Sequence, residues 1–416
     1  MIHPTRLFVT SCLSMLVTSM IFSIRADILG PVSHEYLLSN EMIGLTMSSV
    51  FWGFTLGIIV CAMLVDLVGM KTLHVLSGVG YLGGIALILS APANTVDNAA
   101  SGTALLYTGF LLTGVSQGVV EGVTNPLVAT LYSHDKRRMF NRLHAWWPAG
   151  LIFGGVVAWL LGQFDASWRV KLATVTVPAL LYLALSITQA YPKTERVTAN
   201  VRAGEMYRQL TQPMFLLLFV LMWLTAATEL GPDQWFSKIM ADLVPSLGQN
   251  AILFLAYTAG IMFLLRQFAA SALRRVSPFA ILSGSALLSM GGLVILGSIS
   301  GSGSTVTLLA LLGATVFGVG KTFFWPTMLA VTSELFPKGG ALLVNLMGGA
   351  GMLSVMLSLP VIGRIIDTND AATALMSIAI LPAALTVVFS LLWLRQSLTG
   401  GYSPQALPRP APEEQG

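Results

Sequence analysis

Gly114-Val115-Ser116-Gln117-Gly118-Val119-Val120-Glu121-Gly122-Val123-Thr124-Asn125-Pro126 decides how the chain folds. Gly114, Gly118 and Gly122 recur every fourth residue, and so do Gln117, Glu121 and Asn125. At helical periodicity these are two stripes rotated by about 100° from one another. A stripe of small residues lets another helix approach closely. The other stripe puts a carboxyl inside an apolar run, where a charge costs at least ~2.5 kcal/mol at the centre of a membrane span. The stretch therefore reads as a membrane-crossing helix that packs on one face and meets something polar on the other. The plainer alternative is that Glu121 only bonds a neighbouring helix.

The rest of the chain agrees. Of 416 residues only 10% are charged and 55% are hydrophobic, against ~25% charged in a soluble domain. Mean hydropathy is +0.78. So little charge cannot coat a soluble surface of this size, which excludes a water-soluble enzyme. Apolar segments lie near 7–24, 41–65, 72–92, 103–132, 144–163 and 170–190. Six more lie near 213–236, 250–272, 278–299, 304–333, 340–363 and 371–395. The first follows Arg6 and lacks a small-residue cleavage site, so it is read as a span and not as a signal peptide. The expectation is an all-α membrane protein with twelve transmembrane helices in two six-helix repeats around a central cavity. Residues 1–190 and 213–395 form the bundles, 191–212 a cytoplasmic linker and 396–416 a cytoplasmic tail. Cys12 and Cys61 sit in apolar runs and read as buried hydrophobes.

Basic residues fix the expected orientation. Fifteen Lys and Arg fall on the side of the termini, among them Lys136, Arg137, Arg138, Arg196, Arg202, Arg274, Arg275 and Arg409. Five fall on the other side or its rim: Arg25, Arg169, Lys171, Lys238 and Arg364. That asymmetry puts both termini in the cytoplasm, in the inner membrane for a bacterial protein. The same scatter over short loops argues against nucleic acid as a partner despite the net charge of +4.

Two motifs repeat. Leu29-Gly30-Pro31 recurs as Leu230-Gly231-Pro232, and Pro126 as Pro326, at nearly equal offsets. A duplicated six-span unit implies a site between its halves. Lys321 precedes Pro326 as Glu121 precedes Pro126, so the two are expected to face each other across the cavity. Gly320-Lys321-Thr322 is not a phosphate loop, because Thr315 replaces the leading glycine and the surroundings are apolar. Arg266 and Lys321 are the basic residues left within the spans, and Asp27, Glu121, Glu229 and Lys321 are the candidate intramembrane charges, each in want of a partner or a task. Lys321 either pairs with a carboxylate or receives an anionic solute. Glu229 and Asp233 are placed near the outer end of the seventh span, with Asp233 at the rim. Arg25 is expected to reach outward to headgroups. His144, Trp146 and Trp147 read either as an interfacial anchor or as cavity lining. With Gln117, Asn125, Glu229, Lys321 and Trp325 they complete the candidate solute-binding set. Asp66-Leu67-Val68-Gly69-Met70-Lys71 reads as a tight turn in which Gly69 frees the backbone, with Asp66, Gly69 and Lys71 the candidate gating residues.

Twelve spans in repeated halves, with Asp66, Gly69 and Lys71 after the second, resemble the major facilitator superfamily; Ala62, Leu67 and Thr72 depart from its loop motif. Asp27-Ile28-Leu29-Gly30-Pro31, Gly118 to Pro126, Glu229, Pro326-Thr327, Gly348-Gly349 and Gly363 to Asp367 are similar to segments of its L-fucose:proton symporter group. The resemblance implies the major facilitator fold and proton coupling by Asp27 and Glu121. A carboxyl in a low-dielectric cavity can indeed load and release a proton as the cavity changes sides. His144-Ala145-Trp146-Trp147 stands where that group carries sugar-binding amides, and Lys321 has no counterpart there.

The leading expectation is a monomeric proton-driven symporter of a small polar solute, a sugar or sugar acid. Its rivals are a proton-coupled exporter of drugs or amphiphiles and a transport-inactive sensor. An enzyme is disfavoured: the five histidines show no metal spacing, and no cofactor is expected.

Overall fold

The computed structural model describes residues 2–93, 101–132, 139, 142–193, 203–272, 276–300 and 303–403. Lys136, Arg137, Arg138, Arg196, Arg202, Arg274, Arg275 and Arg409, with residues 194–202 of the expected linker and 404–416 of the expected tail, lie outside the described residues. The described residues are helical and contain no strand.

Among the described residues, twelve helical units cross the molecule. The first six are α1 Pro4–Glu35, α2 Asn40–Val68, α3 Met70–Ser90, α4 Ser101–Leu131, α5 Arg142–Gly162 and α6 Trp168–Thr188. The second six are α7 Pro213–Leu243, α8 Ile252–Ala272, α9 Pro278–Gly297, α10 Ser304–Thr332, α11 Gly340–Thr368 and α12 Ala371–Leu398. Eleven are long and apolar enough to span a bilayer; the twelfth, α8, has a shorter apolar core, Ile252–Phe268. The hydrocarbon region needs about 20 residues of helix. The longest helices exceed that, and α1, α4, α7 and α11 each carry an internal proline: Pro31, Pro126, Pro232 and Pro360.

The glycine stripe of α4 packs as its spacing requires. A Cβ on Gly114 would lie 2.0 Å from the Val50 carbonyl oxygen, and one on Gly118 2.1 Å from that of Phe54. Helices α2 and α4 thus meet backbone to backbone. Between the halves, α2 packs on α11, α5 on α8 and α1 on α7.

Two expectations about local structure change. Asp66 belongs to the last turn of α2 and not to a loop, because that helix runs to Val68. Gly69 alone makes the turn: its φ of +89° lets one residue end α2 and begin α3. Lys71 is exposed beyond it. Pro326 is also unlike Pro126. Helix α10 breaks between Lys321 and Phe324, so Pro326 lies in the first turn of a new helical segment, whereas Pro126 is inside a continuous α4.

Candidate functional site

Polar side chains gather along the seam between the bundles. On the α4 stripe, Gln117 Nε2 donates to the Thr18 carbonyl at 3.4 Å, and Thr18 Oγ1 lies 2.6 Å from the Tyr81 hydroxyl. One turn on, Glu121 is buried, and among the described residues no hydrogen-bond or ion-pair partner reaches its carboxylate. A further turn brings Asn125, whose Oδ1 lies 3.2 Å from His144 Nε2. The sequence-derived stripe therefore remains one feature in three dimensions, joined by His144 of α5. Trp147 packs edge-on against Phe22 at 5.7 Å between ring centres, while Trp146 is 40% exposed. The neighbouring tryptophans thus separate, and only Trp147 turns into the protein.

In the second bundle the buried charges form contacts that the sequence does not announce. Glu229 lies near the middle of α7, because that helix extends a further fourteen residues to Leu243. Its Oε1 is 3.4 Å from Arg266 Nη2, and its Oε2 has no hydrogen-bond partner among the described residues. Arg266 is set in place by Pro326. Proline lacks the N–H that would bond the carbonyl four residues back, which is that of Thr322. Arg266 Nε donates to that freed oxygen at 3.1 Å. Trp325, beside the break, fits against Gly351, where a Cβ would meet its ring at 2.7 Å.

Lys321 does not face Glu121. Its Nζ donates to Asp233 Oδ1 at 2.5 Å, to Asp233 Oδ2 at 2.7 Å and to Thr258 Oγ1 at 3.2 Å. An ammonium has three N–H donors, and here three acceptors take them. Both residues are sealed, and both belong to the second bundle. Asp233 is accordingly a buried ion-pair partner and not a rim residue. Arg25 corrects its expectation in the same sense: it is 1% exposed and turns inward. Its Nε donates to Gln234 Oε1 at 3.0 Å, and Gln234 Nε2 returns a bond to the Phe22 carbonyl at 3.0 Å. Asp27, two residues on, pairs with Lys171 of α6 at 2.7 Å.

The end opposite the chain termini is closed by Asp367, which sequence reasoning did not single out as a site residue. Its carboxylate accepts from the backbone N–H groups of Asn40 and Glu41 at 3.1 and 2.8 Å, and from Asn40 Nδ2 at 2.7 Å. The acid caps the N-terminus of α2, where free N–H groups and the helix dipole favour negative charge. A Cβ on Gly363 would lie 2.3 Å from the Asn40 carbonyl, so α11 and α2 touch backbone to backbone there. Nearby, Trp159 Nε1 of α5 donates to Asn250 Oδ1, ahead of α8, at 2.7 Å. At mid-depth Thr55 Oγ1 donates to the Gly349 carbonyl at 2.8 Å.

Residues 7–341 match the family model of the Major Facilitator Superfamily. The chain belongs to that superfamily. Solved structures of the superfamily's architecture superpose over nearly its whole length. The partially occluded inward-open xylose transporter XylE from E. coli has a TM-score of 0.75 at 13% identity, covering 94% of this chain and 97% of its own. A D-xylose-proton symporter gives 0.73 at 15% identity with the same coverage. The nucleoside transporter NupG gives 0.71 at 13%, covering 94% and 98%. Among curated protein sequences none matches significantly. This major facilitator protein is a multi-pass membrane transporter and not an enzyme.

Proposed function

We propose that this transporter is a proton-coupled symporter of a small polar solute, a sugar or sugar acid. Residues 1–190 and 213–395 move against each other to give alternating access. The observation that carries the reading is Glu121. A carboxylate buried in the bilayer without a counter-charge is stable only when it can take up a proton, so its charge follows its access to water. Asp27, paired with Lys171, is the second proton-coupling residue. Solute binding falls to Gln117, Asn125, His144, Trp147, Glu229 and Trp325, which combine amide and carboxyl hydrogen bonding with aromatic faces suited to sugar rings. With the termini in the cytoplasm, a placement that the loop charges support, the end closed by Asp367 faces outward. The protein works as a monomer. A D-xylose-proton symporter among the fold neighbours fits the same class of solute and coupling.

Reconstituted protein in sealed vesicles tests this reading. Sugars and sugar acids should move together with protons, and Glu121→Gln should abolish accumulation against a gradient while sparing exchange of solute across the membrane. Solute movement without protons, or a Glu121→Gln variant that still concentrates solute, would overturn it.

A further inference from the structure

Among the described residues, contacts in the interior leave one cation, Arg25, without a counter-charge. Lys321 is held by Asp233, Arg266 by Glu229 and Lys171 by Asp27. Arg25 has no carboxylate partner among the described residues. Its Nε is taken by Gln234, and its guanidinium carbon lies 5.4 and 5.0 Å from the ring centres of Phe22 and Phe51. Both terminal nitrogens, Nη1 and Nη2, are buried and make no hydrogen bond among the described residues. Buried polar groups are nearly always satisfied, and an exception asks for a reason.

Glu121, the acid left over, cannot supply it. Thr18, Phe22 and Arg25 share one face of α1, and Thr18 meets Gln117 of α4. Arg25 lies about 10 Å from Thr18 along α1, and Glu121 about 6 Å from Gln117 along α4 in the opposite direction, at 1.5 Å per residue. Their Cα atoms are thus roughly 16 Å apart along the helix axes. The other cations are engaged too, since Lys321 has used all three donors. Arg25 thus presents a free two-nitrogen fork over the edge-to-face pair of Phe22 and Phe51, whose ring centres are 6.1 Å apart, where α1 of one bundle meets Gln234 of the other. A planar fork matches a planar carboxylate side-on.

We propose that Arg25 Nη1 and Nη2 form the anion subsite for the transported solute, which is therefore a monocarboxylate with a polar body, a sugar acid and not a neutral sugar. The inference deepens the transport reading and rests on it for the identity of the ligand as cargo. Arg25 neutralises the solute's charge, so the carboxylates remain free to titrate.

The test is equilibrium binding to the purified full chain in lipid nanodiscs, followed by thermal stabilisation and calorimetry. D-gluconate and D-glucuronate are compared with sorbitol, D-glucose and inorganic phosphate. One of the carboxylates should stabilise the wild type and bind at least tenfold more tightly than its uncharged counterpart. Arg25→Gln should weaken that carboxylate about 30-fold or more, the range of a lost charged hydrogen bond, and leave the neutral compounds unchanged. Arg25→Lys, which keeps the charge and loses the fork, should fall between. No stabilisation by either carboxylate, equal stabilisation by phosphate or neutral sugars, or unchanged carboxylate affinity in Arg25→Gln would overturn the subsite. Should Arg25→Gln fail to fold, unchanged carboxylate affinity in Arg25→Lys overturns it equally. Proton movement is not read here, so loss of coupling in the Glu121 experiment and loss of the Arg25 subsite are separate outcomes.

Discussion

Lys321 donates to both carboxylate oxygens of Asp233, at 2.5 and 2.7 Å, with the side chains 0% and 1% exposed. The pair ties α10 to α7 at the depth where α10 breaks ahead of Pro326. Its ammonium also lies over the Phe317 and Phe236 rings, 5.2 and 6.0 Å from their centres. A lysine whose sequence left open a carboxylate partner or an anionic solute is here paired with a carboxylate of its own bundle.

Removing one partner should be far worse than removing both. Asp233→Asn or Lys321→Met leaves a charge buried alone, which costs about 3–5 kcal/mol, whereas replacing a whole buried pair by apolar residues is often neutral. Thermal unfolding of the purified variants should show large losses for each single change. Recovery of most of the stability is expected in the double variant Lys321→Met with Asp233→Leu. Additive losses in the double variant would show that the two side chains act independently.

Closure of the end opposite the termini should depend on Gly363 and Asp367. A methyl group at Gly363 must displace the Asn40 carbonyl from 2.3 Å, and Asp367→Asn removes the negative charge that caps α2. Both should widen the gap between the α1–α2 and α11–α12 turns. Spin labels at the exposed Leu37 and Asn369 would report this as a shift toward longer distances; Cys12 and Cys61 are both buried. An unchanged distance distribution in Gly363→Ala would refute the role given to this contact.

Gly69→Ala should slow interconversion while sparing equilibrium solute binding. Nothing lies within 4 Å of a Cβ at Gly69, so the penalty is conformational alone: φ of +89° with ψ of 146° is glycine territory, at about 1–3 kcal/mol for another residue. Transport rates and binding isotherms measured on the same preparation separate the two effects. A weakened isotherm with an unaltered rate would contradict the assignment.

Two glycines inside helices, Gly118 and Gly30, should respond to substitution to very different extents. Gly118→Ala drives a methyl group into the Phe54 carbonyl at 2.1 Å and the Ile58 nitrogen at 2.6 Å. Both are backbone atoms in a packed helix pair, so a loss of about 1–3 kcal/mol or more is expected. Gly30, in the repeated Leu-Gly-Pro motif, has no atom within 4 Å of a Cβ, and Gly30→Ala should unfold within a few degrees of the wild type. Melting curves in one detergent decide it.

The sequence by itself determined the spans, the packing face of α4, the Gly69 turn and the stripe from Gln117 to Asn125. Each depends on hydropathy or on residues four apart, which helix geometry places together without reference to the rest of the chain. Tertiary structure alone decided who neutralises whom. Lys321 and Asp233 are 88 positions apart and Arg25 and Gln234 are 209 apart. Periodicity gives the face of a helix on which a charge lies, but not the rotation and depth at which a distant helix presents its partner. Equivalent places in two repeats misled for the same reason. Lys321 shares its spacing to proline with Glu121, yet an ammonium buried in hydrocarbon is drawn to the nearest carboxylate its own bundle can offer. Asp233, one turn beyond Glu229, is that carboxylate only because α7 continues as helix past Pro232.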